Sequence, residues 1–167
     1  MKELDKDFLK KMAPCSLLCH VCPGYSDGAI SQCAVKMCKH FEGYYDFNDE
    51  HLPEEHRGWL PEFEQFHNRL KKYTEGGCSG CRGHNDEDFG CIEGCFIDAC
   101  TKERGIHFCS ECEDFPCEKA KQFFTENDKT LLTMWIEGSQ RMREIGIKPY
   151  FEEKKDSSNY ANYKKAK

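Results

Sequence analysis

Phe108-Cys109-Ser110-Glu111-Cys112-Glu113-Asp114-Phe115-Pro116-Cys117 is the stretch on which the reading of this chain turns. Two thiols separated by two residues can aim both sulfurs at one ion from a tight backbone knuckle. The same spacing recurs at Cys78-Ser79-Gly80-Cys81 and at Cys19-His20-Val21-Cys22. With Cys15, Cys91, Cys95 and Cys100 added, eleven of the thirteen cysteines fall into short-spaced groups. The candidate metal ligands are therefore Cys15, Cys19, Cys22, Cys78, Cys81, Cys91, Cys95, Cys100, Cys109, Cys112 and Cys117.

A disulfide framework is the competing reading of so many cysteines. The segment Met1–Lys10 is charged throughout and has neither an apolar run nor a small-residue cleavage site, so the expected compartment is the reducing cytoplasm. The cysteine count is odd, and sulfurs two residues apart suit a shared ion better than a long-range staple. The chain is 167 residues long, enough for one ordinary domain with a modest core. No apolar run approaches the roughly 20 residues needed to span a bilayer. A formal charge of −6 and a pI near 5.7 argue against broad nucleic-acid binding, which needs a basic surface. A protein partner is compatible with this composition, although the sequence names none.

Period-two alternation is not sustained anywhere, whereas helical spacing recurs. Leu4, Phe8, Leu9 and Met12 mark a short lead-in helix over residues 3–12, which Pro14 ends. The first thiol loop, Cys15–Cys22, closes at Pro23-Gly24. A second helix is expected from Asp27 to about Glu42, carrying Cys33 and Cys38 as small helix residues with one or both buried. Residues 43–58 read as loop, with His51 and His56 facing solvent; their five-residue spacing across Pro53 does not make a metalloprotease helix. Trp59 to Tyr73 is a clear amphipathic helix with Pro61 in its first turn. Further helices are expected at Glu118–Phe124 and over 128–145, where Leu131, Leu132, Trp135, Met142 and Ile145 share a face that Gly146 ends. The predicted fold is mainly α, short helices joined by irregular cysteine-rich metal-binding loops with little or no sheet. One domain over 1–146 divides into an N-terminal helical part (1–75), a knuckle segment (76–117) and C-terminal helices (118–146). A polar tail, 147–167, follows, and it is expected to be frayed beyond Phe151.

Three runs together resemble a known family: Met12-Ala13-Pro14-Cys15 through Tyr25, the Cys78–Arg82 knuckle, and Cys95–Cys100 followed by Gly105–Glu118. They are similar to the domain of unknown function 3795 family. The resemblance implies a small, cysteine-rich, cytosolic prokaryotic protein that binds metal, and it implies no reaction.

The leading functional expectation is a zinc-stabilised structural or interaction module, because eight thiols between Cys78 and Cys117 suffice for two four-sulfur sites. The first trio needs a fourth ligand: His20, His84 or a cysteine from the second half. A distant ligand would make the loop a staple between the two halves. The alternative is an iron–sulfur protein in electron transfer or redox sensing. Cys15-x3-Cys19-x2-Cys22 has radical S-adenosylmethionine spacing, but the helical remainder does not suit the parallel barrel such enzymes need. A weaker alternative is a thiol–disulfide enzyme using Cys78/Cys81 or Cys109/Cys112, although no βαβ context accompanies either pair. No catalytic residue is assigned.

Overall fold

Side-chain caps and glycine stops bound the helices Lys6–Lys10, Leu60–Glu75 and Lys129–Ile145 close to where the apolar spacing predicts helices. The chain is described by a computed structural model over residues 4–83 and 91–161. These residues form eight α-helices: α1 (Lys6–Lys10), α2 (Ala29–His40), α3 (Tyr44–His51), α4 (Leu60–Glu75), α5 (Ile97–Glu103), α6 (Glu118–Asn127), α7 (Lys129–Ile145) and α8 (Ile147–Lys154). Single 3-10 turns occupy Cys19–Val21, Glu54–His56 and Cys109–Glu111. Among the described residues there is no strand, only an isolated parallel bridge between Tyr25 and Cys78. The mainly α expectation therefore holds.

Asp5 caps α1 by accepting from the Asp7 amide, and Asp128 caps α7 by accepting from the Thr130 amide at 2.6 Å. Gly146, at φ 90°, stops α7 and turns the chain into α8. Two apolar clusters result. The first joins α1 and the first loop to the end of the chain through Leu9, Met12, Leu18, Val21, Phe108, Met142, Tyr150 and Phe151. The second is centred on Trp135, with Phe115 and Phe124 packed on it at ring distances of 5.0 and 5.3 Å. Each fully buried large apolar side chain contributes roughly 1.5–3 kcal/mol. The second cluster also contains Cys15 and Cys109, so its apolar packing and the thiol loops are one structure.

Three expectations are corrected. Residues 43–58 are not all loop, because α3 occupies Tyr44–His51. Its weak helix formers are held by Asn48 and His51 bonding back to the carbonyls of Tyr44 and Phe47, and by Tyr44 meeting Phe63 of α4 at 5.2 Å. Neither Cys33 nor Cys38 is buried: α2 buries Ser31 and Ala34 instead, leaving Cys33 exposed and Cys38 half-buried. The end of the chain is ordered well past Phe151. Tyr150 and Phe151 are buried on α8, which runs to Lys154, because Phe8 and His20 supply ring contacts to Phe151 that the tail's composition does not reveal.

Gly76 illustrates how closely α4 approaches the first loop. At φ 56°, a Cβ there would stand 2.4 Å from Ser26 Cα. Gly76→Ala is expected to destabilise the protein by about 1–3 kcal/mol, through backbone strain and the forced shift of Ser26. A thermal melt unchanged from wild type would show that this junction is soft.

Candidate metal centre

The first loop is shaped by its own backbone. Ala13 N–H donates to Leu17 at 2.8 Å and Cys22 N–H to Cys19 at 2.9 Å, while Ser16 adopts a left-handed conformation at φ 77°. The knuckle at Cys78 lies along this loop. Ser26 N–H donates to the Cys78 carbonyl at 3.0 Å and Gly77 N–H to Gly24 at 3.2 Å. The Gly80 amide, in a turn at φ 81°, points at the Cys78 sulfur at 3.3 Å. Arg82 locks the arrangement: it is stacked on Phe108 at 4.7 Å and donates to the carbonyls of Leu9, Met12 and His107.

These contacts bring thiols from distant parts of the sequence together. Cys81 neighbours the thiols of both Cys19 and Cys91, and Cys15 senses the charges of Cys81, Cys91 and Cys95. Cys22 neighbours Tyr160, which lies within electrostatic reach of Cys91 and Cys19. Cys78 adjoins the same group through Tyr25, which senses both Cys19 and Cys78. The first group is thus Cys15, Cys19, Cys22, Cys78, Cys81, Cys91 and Cys95.

The second group is local. Cys109 senses Cys117, Cys100 and Cys112. Its knuckle is fixed by Glu111, whose carboxylate accepts from the amides of His107 and Phe108 at 2.8 Å each, and by Cys109 N–H donating to Pro14 at 2.9 Å. A cis peptide joins Phe115 to Pro116 ahead of Cys117. Arg104 donates to the Cys112 sulfur at 3.2 Å while paired with Asp114 at 2.6 Å. Arg143 lies over the Phe115 ring at 4.8 Å and donates to the carbonyls of Ser110 and Cys112. The indole nitrogen of buried Trp135 has no conventional hydrogen-bond partner; it sits beside the Cys109 sulfur and favours its thiolate.

None of the thirteen cysteines is in a disulfide. Five of the thiols are held protonated. Burial pushes Cys15 well up and Cys109 to about 11, while the neighbouring Cys19 takes Cys81 to about 12. Cys91 rises chiefly through its neighbour Cys81, and Cys95 through burial. Among the described residues no three His, Cys, Asp or Glu side chains already form a metal cage, so the sulfurs are neighbours without being closed on a point.

Some expected partners stand elsewhere. The His20 ring packs against Phe151 at 5.7 Å, and burial lowers its pKa. His84 lies outside the described residues. Asp114, beside the Cys109–Cys112 knuckle, is engaged by Arg104. His51 and His56 are exposed, as expected, although His51 ends a helix. Sequence reasoning missed Arg82, Arg104, Trp135, Arg143, Asn159 and Tyr160. The only sequence signal for any of them is that Arg82 and Arg104 flank thiol runs.

Asn159 ties the end of the chain to the first loop. Its amide nitrogen donates to the Leu18 carbonyl at 2.8 Å, and its oxygen accepts from the Leu18 amide at 3.2 Å. Asn159→Ala is expected to speed alkylation of the first-group thiols roughly thirtyfold, by removing two hydrogen bonds worth about 1 kcal/mol each. Cys112 should be unaffected. Peptide mapping of the alkylated protein measures this, and equal acceleration at Cys112 would point to global loosening instead.

Fold and thiol set together define a small helical cysteine-rich protein. The chain belongs to the family described as "Protein of unknown function (DUF3795)", which matches residues 11–122. No curated protein and no solved structure matches it. No helix among the described residues is long and apolar enough to cross a membrane.

Proposed function

We propose that this protein is a zinc-stabilised structural or interaction module of the reducing cytoplasm, with one metal site in each thiol group. The observation that carries this reading is the meeting of Cys15 and Cys19, near one end of the chain, with Cys81 and Cys91. Bringing protonated, partly buried thiols together gains little by itself. A divalent ion shared among them would replace their protons and link the loops.

Donor chemistry supports the second site in particular. Four thiolates around a zinc ion leave a net charge of −2. Arg143, together with Arg104 shared between Asp114 and the Cys112 sulfur, brings positive charge to this knuckle, and the Trp135 N–H is poised to donate to a thiolate sulfur. In the first group, Arg82 supplies one positive charge beside Cys15, Cys19 and Cys81. The staple reading of the first loop rests on the same contacts, with Cys81 and Cys91 as the nearest partners of the trio.

A second reading applies to the first group alone: its seven thiols include the four that an iron–sulfur cluster takes, the same number as a zinc ion. The thiol–disulfide reading is disfavoured, since a catalytic cysteine needs a depressed pKa and burial drives Cys109 the other way. Elemental analysis with a visible spectrum of protein purified without oxygen decides between the metals. Colourless protein with zinc supports the proposal, and brown protein with iron and labile sulfide overturns it for the first group.

A further inference from the structure

A third structural unit lies away from both thiol groups. Helices α2, α3 and α4 enclose a connected set of rings: Phe41 meets Phe63 at 5.2 Å and Phe66 at 6.2 Å, and Tyr44 meets Trp59 at 6.0 Å. These rings belong to neither buried cluster. α3 buries no residue, and α4 buries only Leu60. Phe47 is 62% exposed, Phe66 46%, Tyr44 45% and Trp59 38%. Isolated exposed rings are ordinary, but four on one helical hairpin constitute an apolar face that water covers poorly.

Charge identifies what fits this face. Residues 41–66 hold eight carboxylates against the single basic residue Arg57, a formal −7 that exceeds the −6 of the whole chain. Arg57 is itself occupied, donating to the Leu52 carbonyl and pairing with Asp49 at 3.8 Å. Asp46 and Glu50, one turn apart on α3 and exposed, flank Phe47. A second copy of this chain would set Asp46 and Glu50 against the same carboxylates of its partner, so self-association through this face is opposed. Lysine and arginine side chains complement it twice over. They pair with the carboxylates, and their cations sit favourably on ring faces.

We propose that the aromatic face of α3 and α4 is a docking surface for a basic amphipathic helix of a protein partner. The partner's apolar side would cover Tyr44, Phe47, Trp59 and Phe66, and its flanking cations would meet Asp46, Glu50 and their neighbours. This does not rest on the metal proposal, since no thiol of either group lies in residues 41–66.

The test titrates the full-length protein with a synthetic 18-residue peptide of leucine and lysine patterned as an amphipathic helix. Two controls are run: the same pattern with glutamate replacing lysine, and a scrambled leucine–lysine peptide. The patterned peptide is expected to bind with a dissociation constant on the order of micromolar, shifting amide resonances within 41–66, while both controls bind at least about tenfold more weakly. Tyr44→Ser with Phe47→Ser, which leaves charge unchanged, and Asp46→Lys with Glu50→Lys, which leaves the rings, should each weaken binding about tenfold or more. All four positions are exposed, and circular dichroism verifies that the helices persist. Equal binding of the scrambled peptide, or shifts lying outside 41–66, would overturn the proposal. So would concentration-dependent dimers abolished by Phe47→Ser, which would assign the face to a second copy.

Discussion

Protein purified under reducing conditions is expected to carry two zinc ions per chain, with sulfur neighbours near ~2.3 Å by X-ray absorption, and to lose its cooperative thermal transition once a chelator removes both. The size of the effect follows from comparison. A structural zinc contributes on the order of 10 kcal/mol of apparent folding free energy, whereas a whole domain's net stability is about 5–15 kcal/mol. The second apolar cluster incorporates Cys15 and Cys109 directly, so it cannot remain intact while the thiol loops separate. The two forms should also respond oppositely to pH. In the metal-free protein, Cys81 and Cys109 titrate above the ordinary thiol value, at about 12 and about 11. Their contribution to stability is fully present below about pH 9 and is lost as pH rises through the folded values. The zinc-loaded protein should instead weaken in acid, where protons compete for thiolates. A chelator-treated protein that melts cooperatively at the loaded temperature would refute the stabilising role.

The second large effect is the contrast among single cysteines. Cys112→Ser and Cys81→Ser are each expected to release one equivalent of zinc and to lower the melting temperature far more than Cys33→Ser. Cys112 lies in the knuckle that Arg104 and Arg143 brace, and Cys81 joins the first loop to Cys91. Cys33 is exposed on α2, so serine there should cost about 1 kcal/mol or less. The pattern of metal loss is as informative as the melts. Cys112→Ser should leave first-group thiols protected from alkylation, and Cys81→Ser should leave Cys109 protected. If all three variants melt alike, the division of the cysteines is wrong.

Some of this architecture was legible because its causes are local. A knuckle is a four-residue event, so Cys109–Cys112 and Cys78–Cys81 declare themselves by spacing. α4 and α7 declare themselves by apolar period, by Pro61 and by Gly146. The partition of the thiols was not legible. Counting allowed two four-sulfur sites among the eight thiols from Cys78 to Cys117 without saying which cysteines share a site. Instead the Ser26–Cys78 and Gly24–Gly77 backbone bonds and the three-way grip of Arg82 bring most of this segment to that loop. Contacts between residues so far apart leave no periodic trace. The same holds for α3, which depends on rings donated by α4, and for α8, whose Phe151 is covered by Phe8 and His20.

The unequal reach of the two thiol groups has a consequence for how the protein is made. Cys100, Cys109, Cys112 and Cys117 leave the ribosome almost together, so their site can be completed as soon as α5 and the following knuckle are free. Cys19 emerges early and must await Cys81 and Cys91, then Asn159, before its loop is held. At roughly 5–20 residues per second, the stretch from Cys19 to Asn159 takes on the order of 7–28 s. Throughout it a nascent chain displays Cys15, Cys19 and Cys22 to oxidants and competing metals. The biosynthetic vulnerability of this protein is therefore concentrated in its earliest thiols, and metal errors during translation should accumulate at the first group while the second is loaded correctly.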